Sequence, residues 1–205
     1  MSPRLTRIEQ TERNRSLVLA AARRVFPARG YHGATLEHIA DEAGFSKGVV
    51  YSQFGTKADL FLALLDLRIE ERARLNAEVV ADLSGERGLA ALFEHATLLE
   101  RSDSEWTRLV IEFRIQAARD PELNRRYAAA HERTIAAAAA IIADLIARSG
   151  DQLPFPPRHL AEIIFALRSG AVLEQAANPD ALPSSLVSAL VKRLFPAPVG
   201  ARSEV

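Results

Sequence analysis

The sequence predicts an all-α protein, and three observations carry that prediction. Apolar residues recur at helical spacing along most of the chain, and no stretch of useful length shows the alternation typical of β-strands. Five of the ten glycines fall within residues 30–55, which concentrates the tight turns there. No proline occurs between Arg29 and Arg119, which leaves room for long helices.

The first predicted helix runs from about Glu9 to Arg29. One apolar face follows the i, i+3, i+4, i+7, i+8 pattern: Val18, Ala21, Ala22, Val25 and Phe26. Pro27 lies in the last turn, where we expect it to bend the helix or end it early. Gly30 is then expected to stop the helix.

The stretch from Thr35 to Leu60 predicts two short helices joined by a glycine turn. Thr35 is a good N-cap for the first helix, and Ser46 can cap the second. Gly44 stands where the chain must reverse in a left-handed conformation. This is the layout of a helix-turn-helix, whose second helix enters the DNA major groove. An ordinary pair of packed helices is the alternative.

The later part of the chain predicts further helices separated by short breaks. They cover residues 57–82, 86–101, 104–119, 121–149, 157–177 and 184–195. The breaks include Ser102-Asp103 and Asp120-Pro121. We therefore expect an N-terminal arm and DNA-binding domain over residues 1–56, followed by a larger helical domain over residues 57–205.

Composition excludes several classes of protein. The chain has 205 residues, of which 48% are hydrophobic, enough for a substantial core, and it has no cysteine for disulfides or thiolate metal sites. No run approaches the ~20 apolar residues of a membrane span. The N-terminus has charges without an apolar h-region, so we expect no secretory signal and a cytoplasmic protein.

The formal net charge of zero hides an asymmetry along the chain. Residues 1–60 carry nine Lys/Arg against six Asp/Glu, whereas the remainder carries 17 against 20. A basic N-terminal segment on an otherwise acidic chain suits a phosphate-backbone partner. A solvated basic face is the simpler alternative.

Catalytic motifs are missing from the sequence. Three histidines fall on separate predicted helices: His95, His131 and His159. There is no HExxH pattern and no Gly-rich phosphate loop. Glu112 has Arg108 four residues before it and Gln116 four residues after it. Contacts along the helix surface therefore explain this carboxylate without a catalytic role. We therefore expect no enzyme, no catalytic residue, no metal site and no cofactor.

The residues from Val18 to Leu60 resemble the DNA-binding domain of TetR-family transcriptional regulators. The matching elements are AAARRVFPARGYHGATLEHIA, AGFSKGVVYSQF and GTKADL. Pro27 replaces a usual helix former, and Phe45 is bulkier than the common aliphatic residue. Both departures affect packing within the domain and leave the DNA-facing residues untouched. The resemblance is confined to the first third of the chain.

The resemblance implies a set of DNA contacts. Lys47, Gly48 and Val49 occupy the turn that reaches base edges, where Lys47 can donate to guanine and Val49 can contact a thymine methyl. The remaining members of the predicted set are Thr35, Ser46, Tyr51, Ser52, Gln53 and Lys57. Several of them resemble phosphate-contacting positions, and Lys57 can face a phosphate from a helix N-terminus. A solvated charge is the alternative for Lys57, and a core aromatic for Tyr51.

The resemblance also implies an effector cavity among the central helices. The candidate lining residues are Phe93, Trp106, Phe113, Tyr127, His131 and Phe165. Plain core packing is the alternative for each of them.

The last two predicted helices, 157–177 and 184–195, carry apolar residues on two sides. Such helices need a second layer to cover them, and in the family a two-fold four-helix bundle of two protomers supplies it. Folding back within one chain is the alternative.

Together these features predict a homodimeric, ligand-responsive, sequence-specific DNA-binding regulator. A repressor that binds a palindromic double-stranded operator is the favoured form, with an unknown small molecule as effector and no membrane partner. Effector binding is expected to tilt the helix over residues 57–82 and to change the spacing of the two DNA-binding heads. The alternative is a DNA-binding architectural or co-regulatory protein without a small-molecule effector.

Overall fold

The computed structural model describes residues 6–150, 152–183, 185–186 and 189, without the side chains of residues 96–103. These residues form seven helices and no β-strand, which confirms the all-α prediction. The helices are α1 (Arg7–Gly33), α2 (Leu36–Ala43), α3 (Lys47–Phe54), α4 (Lys57–Val79), α5 (Gly85–Ala117), α6 (Pro121–Ser149) and α7 (Pro157–Ala177).

Helix α1 begins and is interrupted where its local sequence predicts. Thr6 and Glu9 form a capping box at its start, in which each side chain accepts a backbone N–H of the other residue. Gly30 has φ 68° and ψ 168°, which breaks the helical path before a short continuation to Gly33. Pro27 lies inside the helix. The predicted stop at Gly30 is therefore confirmed, and Pro27 does not end the helix early.

The predicted break at Ser102-Asp103 is wrong. A single helix, α5, runs through this position instead of two helices over residues 86–101 and 104–119. Serine and aspartate each cost less than about 0.7 kcal/mol in a helix interior, and neither Gly nor Pro is present to stop propagation. The final predicted helix, 184–195, lies outside the described residues except at positions 185, 186 and 189.

By its internal contacts the chain divides into two units. Unit 1 consists of the chain up to Arg68 together with Leu109–Ala130, and unit 2 consists of Ile69–Arg108 together with the chain from His131 onward. Helices α4, α5 and α6 each contribute residues to both units. The functional boundary between residues 56 and 57 stays a prediction.

The core of unit 1 is built around aromatic rings. The rings of Phe61 and Phe113 stack with centroids 4.2 Å apart. Phe26 meets Phe61 edge-on at 5.4 Å, and Tyr31 meets Phe113 edge-on at 5.0 Å. Offset and edge-to-face pairs of this kind stabilise beyond their buried area. The cluster thereby joins α1, α4 and α5 within unit 1.

The core of unit 2 is aliphatic. Its buried members are Val80, Leu89, Ile135, Ile142, Leu145, Leu160 and Ala161. They come from α5, α6 and α7 and, with Val80, from the residue that follows α4, so four segments share one core. None of the helices among the described residues is both long enough and apolar enough to cross a membrane.

Candidate nucleic-acid interface

Helices α2 and α3 form the predicted helix-turn-helix. Thr35 caps α2, because its hydroxyl accepts a hydrogen bond from the His38 backbone N–H at 3.2 Å. Gly44 ends α2 with φ 72° and ψ 29°, a left-handed conformation that favours glycine. The Phe45 N–H then donates to the Ala40 carbonyl at 2.9 Å, which closes the turn.

Helix α3 has a buried face and an exposed face. Val50 and Phe54 are 0% and 5% exposed, so they anchor the helix on the core of unit 1 as predicted. Lys47 and Gly48 are exposed at its first turn, and Val49 is half-buried there. A Cβ on Gly48 would meet only the Ser46 hydroxyl, at 3.9 Å, so the backbone at this turn is open to an approaching surface.

The other residues of α3 and its N-cap that are predicted to contact DNA differ in how far their side chains are exposed to solvent. Ser46 occupies the N-cap position without a side-chain capping bond. The Ser52 hydroxyl donates to the Val49 carbonyl at 2.9 Å and remains exposed. Gln53 is half-buried, and its Oε1 is shielded from solvent without a hydrogen-bond partner. The carbonyl end of Gln53 therefore does not face solvent in this conformation.

Glu37 of α2 joins two predicted DNA-contacting residues of α3. Its Oε1 lies 3.3 Å from Lys47 Nζ and accepts a hydrogen bond from the Tyr51 hydroxyl at 3.4 Å. The Glu37 backbone N–H, the Lys47 ammonium and the Thr35 hydroxyl together lower the pKa of the carboxyl to about 2. Tyr51 is 45% exposed, so it is not a core aromatic. Helical spacing within α2 gives no sign of these contacts of Glu37, because both partners lie on α3.

Lys57 lies at the first turn of α4 and binds backbone carbonyls of residues 30–35, the segment from the kink in α1 to the start of α2 (the α1–α2 connection). Its Nζ donates to Tyr31 O at 2.7 Å and to Ala34 O at 2.9 Å, with His32 O at 3.4 Å. The ammonium also lies 4.6 Å from the centroid of the Tyr31 ring, a cation–π contact. Burial lowers the pKa of Lys57. Lys57 is therefore not a solvated charge, and its phosphate contact stays a prediction.

Glu112 of α5 also binds the α1–α2 connection. Its Oε2 accepts the Tyr31 backbone N–H at 2.7 Å. A Cβ on Gly30 would stand 3.0 Å from the same oxygen, so the carboxylate is packed closely against the glycine. Helix periodicity could not reveal this contact, because its partners are 81 residues apart in the chain. Together Lys57 and Glu112 fix the chain segment that leads into α2.

The predicted effector-lining residues fall into two groups. Phe113 and Tyr127 are buried in unit 1, with ring centroids 5.8 Å apart, beside Phe61. His131 and Phe165 lie together in unit 2, with ring centroids 4.7 Å apart. The remaining two candidates, Phe93 and Trp106, are half-buried on α5 in unit 2. The effector role of all six stays a prediction.

Helix α7 has both buried and exposed apolar residues. Its buried residues are Leu160, Ala161, Ala171 and Val172. Leu167 and Leu173 are exposed, as are Leu182 and Leu186 farther along the chain. Within the described residues, no group of three or more His, Asp or Glu side chains is placed to hold a metal ion.

Curated relatives match parts of the chain. AcnR, a transcriptional repressor of Corynebacterium efficiens, is 32% identical over 114 residues, which are 56% of this chain and 56% of AcnR. FasR, a transcriptional activator of Mycolicibacterium smegmatis, is 44% identical over 64 residues, which are 31% of this chain and 29% of FasR. The chain thus spans about half the length of its AcnR relative and less of FasR.

Solved structures share the fold over most of the chain. A TetR transcription regulator from Haloarcula marismortui superposes with a TM-score of 0.72 at 19% identity, covering 90% of this chain and 97% of that chain. FadR from Bacillus subtilis, solved in complex with stearoyl-CoA, gives a TM-score of 0.69 at 19% identity and covers 88% and 96%.

Family models cover both parts of the sequence. The model for bacterial regulatory proteins of the tetR family matches residues 18–64, which include all of α2 and α3. The model for the C-terminal part of BetI-type transcriptional repressors matches residues 85–197, more than half of the chain. With a helix-turn-helix at the first match and a helical unit at the second, the chain belongs to the TetR family of bacterial regulatory proteins.

Proposed function

We propose that this chain is a sequence-specific DNA-binding transcriptional repressor that responds to a small molecule and binds a palindromic operator as a homodimer. One observation carries the DNA-binding part: Val50 and Phe54 anchor α3, while Lys47 and Gly48 are exposed at its first turn. Such a turn can reach base edges in a major groove. A repressor relative and the repressor-type C-terminal match favour repression. The proposed site of action is cytoplasmic DNA.

The DNA-binding part is tested with Lys47→Ala and an operator selected by the wild-type chain from a random duplex library. Loss of a base contact costs about 1–3 kcal/mol and relaxes sequence preference at that position. Arg74→Ala is the control, because it removes an exposed cation of unit 2 that pairs with Glu78 at 2.6 Å. Unchanged operator affinity and preference in Lys47→Ala would contradict the assignment of α3 as the reading helix.

Lys57 is proposed to support phosphate binding from the first turn of α4. Its ammonium remains half-buried while it binds the carbonyls of the α1–α2 connection. Lys57→Ala is expected to weaken binding to all sequences and to reduce the salt slope by about one. Unfolding is measured in parallel, because the same substitution removes contacts to the connection. A salt slope equal to that of wild type would contradict the phosphate contact and leave Lys57 with the structural role of holding that connection.

Two buried polar atoms in unit 2 support an effector site. Asn76 Oδ1 on α4 and His95 Nε2 on α5 are shielded from solvent and have no hydrogen-bond partner. Burial lowers the pKa of His95, and the Arg72 charge adds to the effect, so the imidazole is neutral at pH 7. Unsatisfied buried polar atoms are costly. A small molecule with an apolar body and a hydrogen-bonding group could satisfy them.

Trp106 is the single tryptophan and provides the readout for effectors. Compounds are screened for a change in Trp106 fluorescence and then for release of the selected operator. Asn76→Ala and His95→Ala are expected to weaken the response to a hit while operator affinity without the hit stays unchanged. If no compound changes operator affinity, the alternative of an architectural or co-regulatory protein without an effector is favoured.

The homodimer is supported by two exposed apolar residues of α7, Leu167 and Leu173. Exposed apolar residues of this size mark interaction surfaces when a partner covers them. Leu173→Glu is expected to yield a monomer in size-exclusion chromatography with light scattering. Ile115→Glu is the control, because Ile115 is similarly exposed but belongs to α5 in unit 1. A wild-type monomer that binds a palindrome tightly would contradict the dimer.

Coupling between effector and operator is proposed to run through continuous helices. Helices α4, α5 and α6 each contribute residues to both units, so backbone connections exist for a change in unit 2 to reach unit 1. In the operator-bound dimer the two heads would engage half-sites roughly 34–36 Å apart. Spin labels on the two heads measure this distance. An effector that lowers operator affinity at a constant distance would contradict a tilt of α4.

A further inference from the structure

We propose that Glu37 is a positioning residue that sets the discrimination between operator and non-operator DNA. The inference rests on the proposed DNA-binding function and concerns a residue outside the predicted contact set. Glu37 would act by holding Lys47 and Tyr51 in the absence of DNA and by opposing the approach of phosphates to the same face.

The geometry places one carboxylate oxygen between two side chains of α3. Lys47 and Tyr51 are four residues apart and share one face of that helix. Glu37 Oε1 lies 3.3 Å from Lys47 Nζ and 3.4 Å from the Tyr51 hydroxyl. The side chains of Lys47 and Glu37 are 64% and 34% exposed, so the bridge lies at the surface where DNA would dock.

Glu37 is held in place and stays ionised. It occupies the first turn of α2, whose free N–H groups favour an anion. Its own backbone N–H, the Lys47 ammonium and the Thr35 hydroxyl lower the pKa of its carboxyl to about 2. The carboxylate therefore carries its negative charge throughout the pH range in which DNA binding is measured.

An anion on the docking face affects the two kinds of DNA differently. Non-operator DNA offers mainly phosphates, and binding to it depends on neutralising them with cations. On non-operator DNA the Lys47–Glu37 contact must break and the Glu37 carboxylate must approach phosphates. No base contact compensates for these two costs. An operator also offers a base edge with two acceptors for the Lys47 ammonium, which offsets the lost contact. Glu37 thus weakens non-operator binding more than operator binding.

Glu37→Gln tests the proposal in the full-length chain. Two duplexes are titrated over a range of KCl concentrations by fluorescence anisotropy: one selected by the wild-type chain and one of unrelated sequence. Freeing one cation for one more phosphate contact raises non-operator affinity about five- to tenfold at 0.1 M salt and steepens its salt slope by about 0.9. Operator affinity is expected to rise less, so the affinity ratio between the two duplexes falls.

Glu42→Gln is the matched control. Glu42 also lies on α2, but it pairs with Arg24 of α1 at 2.7 Å, so the substitution makes the same charge change without touching α3. Glu37→Asp keeps the charge and shortens the reach, and it is expected to move the ratio in the same direction as Glu37→Gln. Because Glu37→Asp keeps the negative charge, it separates the effect of the direct contact with Lys47 and Tyr51 from the electrostatic effect of the charge alone.

The outcomes separate two kinds of failure. The same ratio and salt slope in Glu37→Gln and Glu42→Gln would overturn the role of Glu37, as would a Glu37→Asp variant identical to wild type. A wild-type chain that prefers no selected duplex over unrelated DNA would instead overturn the proposed function. Thermal unfolding of each variant verifies that the head remains folded.

Discussion

The cores of the two units are built from different kinds of side chain. Unit 1 combines a cluster of aromatic rings with side chains that bind particular backbone atoms, as Lys57 and Glu112 do at the α1–α2 connection. The core of unit 2 consists of aliphatic side chains packed between helices, and Arg148 adds hydrogen bonds to the Val80 and Ala81 carbonyls at 3.2 and 2.8 Å. Directional contacts specify one backbone geometry, whereas apolar packing tolerates changes that conserve volume. The proposed role of unit 1 in reading DNA requires a fixed geometry, which directional contacts provide.

The largest expected effect is that of Gly30→Ala in unit 1. Gly30 has φ 68° and ψ 168°, a region that residues with a Cβ avoid, and the added Cβ would stand 3.0 Å from Glu112 Oε2. We expect a loss of about 3 kcal/mol in the free energy of unfolding, measured by urea denaturation. Gly33→Ala is the control, because its Cβ would meet only Arg29 Cβ at 3.8 Å. Equal stability of the two variants would show that the kink at Gly30 is unnecessary.

Glu112→Ala tests the directional contact that holds the connection. It leaves the part-buried Tyr31 N–H without its acceptor, which costs about 2 kcal/mol. Glu112→Gln retains an acceptor oxygen and should cost less than half as much. Glu105→Ala, an exposed position on the same helix, should change the free energy of unfolding little. A loss from Glu105→Ala as large as that from Glu112→Ala would point to helix propensity instead.

Gly88→Ala tests the apolar packing of unit 2. A Cβ at Gly88 would overlap the Cδ2 atom of Leu145, which is fully buried. The gain in helix propensity offsets part of the strain, so we expect a net loss of about 1 kcal/mol. Gly170→Ala on α7 has open space around its Cβ and should stabilise. If the double variant Gly88→Ala, Leu145→Val recovers the free energy of unfolding lost in Gly88→Ala, the overlap between the added methyl group and the Leu145 side chain is the cause.

The smallest expected effect is a pH dependence in unit 1. Burial raises the pKa of Asp59, but hydrogen bonds from Thr56 and the Arg126 guanidinium at 2.6 Å outweigh it, and the net pKa is lowered. Because the folded pKa lies below the unfolded value of about 3.9, this stabilisation is present above that value. It is lost as the pH falls through the folded pKa.

Wild type and Asp59→Asn are compared by the free energy of unfolding between about pH 5 and pH 2. The difference between the two proteins should shrink as the pH falls, because only wild type loses the ionised contact. A constant difference across this range would contradict the role of the Asp59 charge.

Local features of the fold were predictable from neighbouring residues. The cap at Thr35 and the left-handed turn at Gly44 depend on atoms within a few positions, and both are confirmed. The inward face of α3, with Val50 and Phe54, follows from helical periodicity in the same way. The break expected at Ser102-Asp103 was wrong because weak helix formers do not stop a long helix.

Contacts between distant segments were not predictable. Lys57 was expected to face solvent or phosphate, yet its ammonium binds carbonyls 23 to 26 residues earlier in the chain. Phe113 and Tyr127 were expected near an effector, with core packing as the alternative; they lie in the aromatic cluster of unit 1, and their effector role stays a prediction. The partners of Glu37 belong to the next helix, so periodicity along α2 does not reveal them. Apolar periodicity marks a buried face without naming the neighbour that covers it.

The amino-acid sequence by itself determined the helical class, the Thr35 cap and the Gly44 turn of the helix-turn-helix, and the motif by which the family was recognised. These depend on interactions between residues close in the chain, which are repeated wherever the same short pattern occurs. Only the tertiary structure decided that Lys57 and Glu112 hold the entry to α2 and that Glu37 binds Lys47 and Tyr51. Those contacts depend on which helices pack together and on the register of their packing. No local sequence pattern encodes either of these.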